Sequence, residues 1–411
     1  MQLKNNKKIP LVVSAAVTAI VSLSHAENST DTIEINHEYY SESDDRIDVK
    51  YTMIDFKKDF GTDWSFAASF SVDEITGGTP IWDSISAPSP CTDESGNYVC
   101  DDPEQRPGNL IGSPQADLSD FTYRNIEMVD KRYAGNASLT YRTTPERNEW
   151  AIGFAYSEED DFKSTELSAG YLHYLDEMKN SSLSFGVSKQ KNESYFYFDE
   201  EWMDMDITSI EVAYTQIFTP KTLGKIAFFR TWQEGALTNP YQTVIRRVNI
   251  TEDEQGAAPI YRYYRAREIR PDKKNISGIA LSLISELHDD WKLHVGYRLY
   301  KDDWDILSHT LDFKAYYSVT ENLTIVPNIR YYNQSRANFY KGHKENDFIF
   351  SEREGYATSD ERLGDFDSLT YAVGVEYTIS DKWDANIHIA KQKTSYDLKS
   401  YWISAGVKYA F

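Results

Sequence analysis

The sequence predicts an all-β fold, a transmembrane up-and-down antiparallel β-barrel of about sixteen strands, and three observations predict it. Segments of strict apolar–polar alternation recur along the chain, the period-2 signature of strands with two unlike faces. Tight turns and long or acidic loops alternate between them. The segments come to an even number, as bacterial single-chain barrels require.

Taken in order, the first segment is Thr32–Ser41, followed by Asp44-Asp45. The second, Ile47–Phe60, meets the third, Trp64–Asp73, at the turn Gly61-Thr62-Asp63, and a long loop of about 75–120 follows. Asp130–Thr143 turns at Pro145–Asn148 into Glu149–Ser157, with an acidic tip at Glu158–Asp161. Lys163–Tyr174 turns at Asp176–Asn180 into Ser181–Lys191. Asp206–Phe218 turns at Thr219-Pro220-Lys221 into Leu223–Gln233, and a long segment runs to Asn275. Ile276–Leu287 turns at His288-Asp289-Asp290 into Trp291–Lys301. Ile306–Val319 turns at Thr320-Glu321-Asn322 into Leu323–Asn333, and a long loop reaches Asp365. Phe366–Ile379 turns at Ser380-Asp381-Lys382 into Trp383–Gln392, and Lys399–Phe411 closes the set.

In this order every tight turn falls on one side, the side of both termini. Trp64, Trp150, Trp291 and Trp383 each follow a turn there, where an interfacial girdle belongs, since indole is apolar with one polar end. Alternation assigns Trp64, Phe66, Ala68, Phe70 and Val72 to the lipid. The opposite faces carry both signs of charge: Asp48, Lys50, Arg142, Glu211, Lys225, Lys292, His294, Arg298, Asp312, Lys314, Arg330, Glu376, Asp384, His388 and Lys408. Such charges pair and hydrate one another, or they line a weakly selective aqueous pore, which a barrel of this size is wide enough to hold.

Residues 1–26 read as a secretory signal: Lys4, Lys7 and Lys8, an apolar run from Ile9 to Leu23, and Ser24-His25-Ala26 before the cut. The barrel then occupies 27–411. Losing the signal's lysines takes the formal net charge from −22 to −25. That acidity argues against a nucleic-acid partner. No later apolar run is long enough for a membrane helix.

The last segment resembles the closing strand of bacterial outer-membrane barrels. Tyr401, Ile403, Ala405, Val407, Tyr409 and Phe411 form its apolar face, and a terminal aromatic with Tyr409 two residues earlier is, in that class, the signal read by the barrel assembly machinery. The resemblance implies the cell outer membrane, with its lipid and lipopolysaccharide as surroundings. The run Ser71-Val72-Asp73-Glu74-Ile75-Thr76-Gly77-Gly78-Thr79-Pro80 is similar to a motif of a proteobacterial outer-membrane family catalogued only as a domain of unknown function. Such members have a signal peptide, Tyr-rich strands (Tyr here numbers 30) and a terminal Phe. They are encoded near flavin-transferring and thioredoxin-like proteins, so the resemblance implies envelope redox partners and no assigned activity. Physically, Gly77-Gly78 permits positive φ, Thr79-Pro80 stiffens the exit, and Asp73 is placed to hold the turn by hydrogen bonds. A loop folding back into the lumen is the other reading.

Cys91 and Cys100 pair in an oxidising compartment, a bridge worth roughly 2–3 kcal/mol if unstrained. Tyr261–Arg270 is a basic, aromatic island that includes Arg262, Arg265, Arg267 and Arg270 and is joined by Arg246-Arg247. It reads as a hairpin extending the flanking strands above the membrane, or as a pore mouth that binds anions, since guanidinium forks match phosphate. The tips Asp44-Asp45, Glu158–Asp161, Asp199–Asp206 and Glu252–Glu254 read as solvated loops, with divalent-ion binding the alternative. None of the histidines has a Ser two residues on, as an outer-membrane phospholipase would, and His343 near Asp347 is the sole protease-like pairing. No metal or cofactor motif appears, and no enzyme is expected. The functional expectation is a porin-like pore or solute-binding barrel, with a plugged structural or accessory barrel of an envelope redox or assembly system as the alternative. Acidic rims lead to an expected mild cation preference.

Overall fold

The computed structural model describes residues 31–78, 80–84, 118, 121–125, 128–197, 199–249, 260–351 and 355–411. The strands of the first half are β1 (Thr32–Glu42), β2 (Ile47–Phe60), β3 (Trp64–Gly77), β4 (Ile81–Ser84), β5 (Phe121–Arg124), β6 (Val129–Arg142), β7 (Glu149–Glu158), β8 (Phe162–Tyr174), β9 (Ser181–Phe196) and β10 (Glu201–Thr219). Those of the second half are β11 (Thr222–Gly235), β12 (Thr243–Asn249), β13 (Tyr261–Arg267), β14 (Lys273–His288), β15 (Trp291–Asp302), β16 (Leu307–Thr320), β17 (Leu323–Gln334), β18 (Phe366–Ser380), β19 (Trp383–Thr394) and β20 (Lys399–Ala410). Sixteen of them close into one barrel, in sequence order except that β4–β5 and β12–β13 stand apart as two-stranded sheets. Closure is made by β1 against β20, from Thr32 opposite Ala410 to Glu42 opposite Ser400. All neighbours are antiparallel, so no edge is left unpaired.

The alternation sets the two faces. Outward residues are large and apolar yet exposed, as in Ile152, Phe154, Leu167, Tyr371 and Ile389, and this is the band that meets lipid. The post-turn tryptophans lie on this face, and each has a tyrosine directly across the ladder. Ring centroids are 4.7 Å apart for Trp64–Tyr141, 4.3 Å for Trp150–Tyr171, 4.6 Å for Trp291–Tyr317 and 4.7 Å for Trp383–Tyr409. Phe411 follows β20, stacks on Phe56 with centroids 6.1 Å apart, and donates its N–H to the carbonyl of Asp31 at 3.0 Å.

The packed apolar cores of the described residues are not in the barrel. They lie among the long loops. One joins Val244, Tyr264 and Ala266 to Phe350 and Ala357. Another joins Trp304 and Ile306 to Ala337, Phe339 and Leu363. A third joins Trp82 and Phe121 to Ile245. The chain segments involved leave the ring between its third and fourth strands, its ninth and tenth, its eleventh and twelfth, and its thirteenth and fourteenth. Segments rooted so far apart around the rim meet only by crossing the mouth. They form a cap.

Two glycines mark where wall becomes cap. Gly77, at the end of β3, has φ +87°, and a Cβ there would sit 2.2 Å from the Arg46 carbonyl oxygen. Gly235, at the end of β11, has φ +114°, and a Cβ would sit 2.3 Å from the Asp204 carbonyl oxygen. Any larger residue would be strained twice over, by its backbone angle and by the close approach. β3 therefore runs through the motif to Gly77, four residues beyond its expected end at Asp73, and positive φ falls at Gly77 while Gly78 does not share it. Asp73 does not hold a turn. It points inward, 2% exposed, with its Oδ2 accepting from Arg132 Nη2 at 2.7 Å.

Candidate functional site: a charged lumen beneath a cap

Register fixes which side chains face inward. Thirteen of the fifteen charged residues expected there share the inner face: Arg142, Glu211, Lys225, Lys292, His294, Arg298, Asp312, Lys314, Arg330, Glu376, Asp384, His388 and Lys408. Asp48 and Lys50 do not. They point outward near the rim, where Asp48 accepts from Tyr39 Oη at 2.9 Å. The cause is that β2 inverts its pattern: Ile47 and Val49 turn inward at cap height, whereas lower down Ile54 and Phe56 face lipid. Glu34, Glu38, Asp55, Arg132 and Glu166 are further inward charges that the sequence reading omits, although the outward Ile33, Ile35, Ile54 and Leu167 beside them mark the faces; Asp73 lies on the inner face of β3, opposite to Trp64 and Phe70, as its alternation places it.

Several of these charges neutralise one another. Arg330 Nε lies 2.6 Å from Asp312, Lys408 Nζ 3.2 Å from Asp384, and Lys225 Nζ 3.5 Å from Glu211. Lys292, Arg298 and Lys314 have no carboxylate oxygen within 4 Å among the described residues. Two cavities share the lumen. The outer one, about 730 Å³, lies under the cap between Arg298, Arg330, Tyr332 and Arg362. The other, about 690 Å³, lies at the short-turn end between Glu34, Glu38, Glu376 and His388.

The basic island is part of the cap. It forms a hairpin, β12 with β13, but as a separate sheet and not as an extension of the flanking strands. Its arginines are engaged: Arg265 with Asp83, Arg267 with Asp199, and Arg270 with Glu268 at 2.6 Å and Asp360 at 2.9 Å. Arg262 is half-buried opposite Val248. Arg246 is fully buried and donates to the Gly355 carbonyl at 2.6 Å. Burial raises the pKa of Glu268, against the pull of Arg270. At Asp360 burial acts the same way, but Arg362 and Arg270 outweigh it and hold the carboxyl below its ordinary value. Arg46 Nη1, 2.7 Å from Glu361, ties the β1–β2 loop to this network.

The acidic tips divide. Asp44, Asp45, Asp199 and Glu200 are exposed. Glu159 and Asp161 are buried, a correction to the solvated reading: with Asp130 they bring one carboxylate oxygen each within 4.8 Å of one another. Tyr197 and Tyr241 both donate to Asp161 Oδ2, which binds the cap to β8 and β9. Burial, then Asp130, pushes the Glu159 pKa up to about 9. An all-oxygen set of this kind could hold a hard divalent cation. His343 and Asp347 do not meet: His343 stacks on Tyr123 at 4.0 Å and lies 3.4 Å from Glu361, while Asp347 pairs with Lys341 at 2.9 Å. Cys91, Cys100, Thr79, residues 1–26 and Glu252–Glu254 lie outside the described residues.

A closed antiparallel barrel with an apolar outer band and a charged interior is an integral protein of the outer membrane. A family model described as "Protein of unknown function (DUF3570)" matches residues 9–197 and 190–408, and the chain belongs to that family. No curated protein matches it. Among solved structures it is similar to a bacterial polysaccharide outer membrane secretin (8% identity, 93% of this chain and 98% of that one, TM-score 0.48). It is also similar to the Pseudomonas putida toluene transporter TodX (11% identity, 98% and 94%, TM-score 0.41). Against the siderophore receptor PirA from Pseudomonas aeruginosa the identity is 9% and the TM-score 0.41, with 90% of this chain covered. The chain spans 57% of the length of PirA.

Proposed function

We propose that this protein is a porin-like channel for small polar solutes whose outer mouth is closed at rest by the cap. The observation that carries the reading is the pairing of a lumen lined by charged side chains with a cap assembled from loops that cross the mouth. Lys292 and Lys314 stand on the inner wall with no carboxylate partner among the described residues, and an aqueous lumen is what keeps such cations solvated, since a dry interior would make each of them costly. The cap's ion pairs, Arg46–Glu361 and Arg270–Asp360, are reversible links of the kind that a gate requires.

The alternative, a sealed accessory barrel, draws on a different feature: the cap has apolar cores of its own and resembles a small folded domain. Planar-bilayer conductance separates the two. The full-length barrel should show rare openings, and loosening the cap by Arg270→Gln should make them frequent. A barrel silent under both conditions would discard the channel and leave the accessory reading.

A further inference from the structure

We infer that the outer cavity is a binding site for a small hydroxylated oxyanion, of the sugar-acid or sugar-phosphate kind, with Arg298 as its anchor. This deepens the channel reading and rests on it for its purpose, but not for its test. Arg298 lies on the inner face of β15 with its guanidinium carbon 4.8 Å from the centre of the Phe229 ring and 5.9 Å from that of Tyr300. Two aromatic faces brace the cation without neutralising it.

The acids of the same chamber are already matched. Asp312 is held by Arg330, and Glu42 lies 3.4 Å from Arg46. Asp360, behind the ceiling residue Arg362, is held by Arg362 and Arg270. Of the charged residues that line the cavity, three are cations, Arg298, Arg330 and Arg362, and two are acids, Glu42 and Asp312, and Arg298 is the cation among them with no carboxylate within 4 Å among the described residues.

What lies beside Arg298 defines the rest of the ligand. Across the ladder Arg298 stands opposite Thr310, Thr310 opposite Tyr332, Tyr332 opposite Ser368, and Ser368 opposite Thr394. Directly opposed residues on one face are neighbours at about 5 Å. The wall thus presents one guanidinium followed by a row of hydroxyls across four adjoining strands, all lining the same 730 Å³ cavity. That volume is in the range of small-molecule sites. A guanidinium takes a carboxylate or phosphate by paired N–H donors, and a row of hydroxyls suits a polyol chain.

The test uses the full-length barrel in detergent and titration calorimetry with gluconate, glucose 6-phosphate and glucose. Both anions should bind, and glucose should bind at least about tenfold more weakly. Arg298→Gln should weaken the anions by about ten- to a hundredfold, the loss of a charged hydrogen-bonding partner. It should leave glucose unchanged, and Lys292→Gln, nearer the short-turn end, should leave all three unchanged. The anion that binds more tightly identifies which oxyanion the site prefers. Heat-modifiable mobility checks that each variant is folded, and Arg298→Lys should recover part of the affinity. Failure of both anions to bind, or equal affinity in Arg298→Gln and the parent, overturns the site. Binding without bilayer conductance would keep the site and remove the channel; conductance without binding would do the reverse.

Discussion

In β7, Ile152 turns its side chain out to 62% exposure while Ala151 and Gly153 line the lumen. In β12, the adjacent residues Val244 and Ile245 are both fully buried. The wall and the cap are folded by different solvents. The wall satisfies its backbone in the closed ladder and leaves its apolar face to lipid, so it needs no interior core. The cap lies outside the bilayer and has water to exclude, so it builds an ordinary core and neutralises its buried charges. Perturbations should therefore fall on one and spare the other.

The largest effect is expected at Arg270. Replacing it with Gln leaves Glu268, 1% exposed, without its counter-charge and takes one of two from Asp360. Breaking a buried pair in this way costs about 3–5 kcal/mol. The cap should become sensitive to added protease while the barrel keeps its heat-modifiable mobility. If barrel and cap fail together, they are not separable units. The converse change, Ile152→Arg on the lipid face, should cost about 2–4 kcal/mol if it lies at the bilayer midplane. Urea unfolding in lipid vesicles should register it, with protease resistance of the cap unaltered in the molecules that insert.

A pH effect is expected where cap and wall meet, at Glu159 in the loop between β7 and β8. Burial holds the proton of Glu159 in the folded molecule to about pH 9, whereas the unfolded chain loses it near the ordinary value of 4.5. Where the folded form binds more protons, stability falls as pH rises. The contribution of Glu159 is thus complete below pH 4.5 and is lost as pH climbs through about 9. Glu159→Gln never ionises. In chelator-containing buffer its melting temperature should match the parent near pH 5 and exceed it increasingly toward pH 9. A gap that ignores pH would show that Glu159 is not buried as a neutral acid.

The same contrast explains how much could be read in advance. Wall strands were legible because a two-sided environment imprints period 2, and β2, Ile47–Phe60, was placed to the residue. The cap strands carry no such imprint: Thr243, Val244, Ile245 and Arg246 are all buried, so β12 looks the same on both faces. Asp48 and Lys50 were misplaced where the two regimes meet, because cap contact turns apolar residues inward there. The basic island was visible as a charge anomaly. Of the partners of its arginines, Glu268 alone lies within the island; Asp83, Asp199 and Asp360 are distant in sequence, so nothing local showed that Arg265 and Arg267 are paired. Arg298 was assigned to the lumen by alternation, but its row of hydroxyls needs the register of five strands.

The smallest effect concerns the girdle, where sequence showed the tryptophans and not their tyrosines. Trp150 and Tyr171 are directly opposed, with centroids 4.3 Å apart and planes at 37°. A cross-strand aromatic pair is worth about 0.5–1.5 kcal/mol beyond its buried area. A cycle of Trp150→Leu, Tyr171→Leu and the double variant should give a coupling of that size in urea unfolding of the inserted barrel. The matching cycle on Trp82 and Phe348, stacked in the cap at 4.8 Å, should leave the barrel's unfolding free energy unchanged and alter the cap's protease resistance alone. Coupling in the cap cycle that appears in barrel unfolding would mean that cap and wall unfold as one cooperative unit. In that case the cap could not move without opening the wall, and a gate made from it would be excluded on energetic grounds.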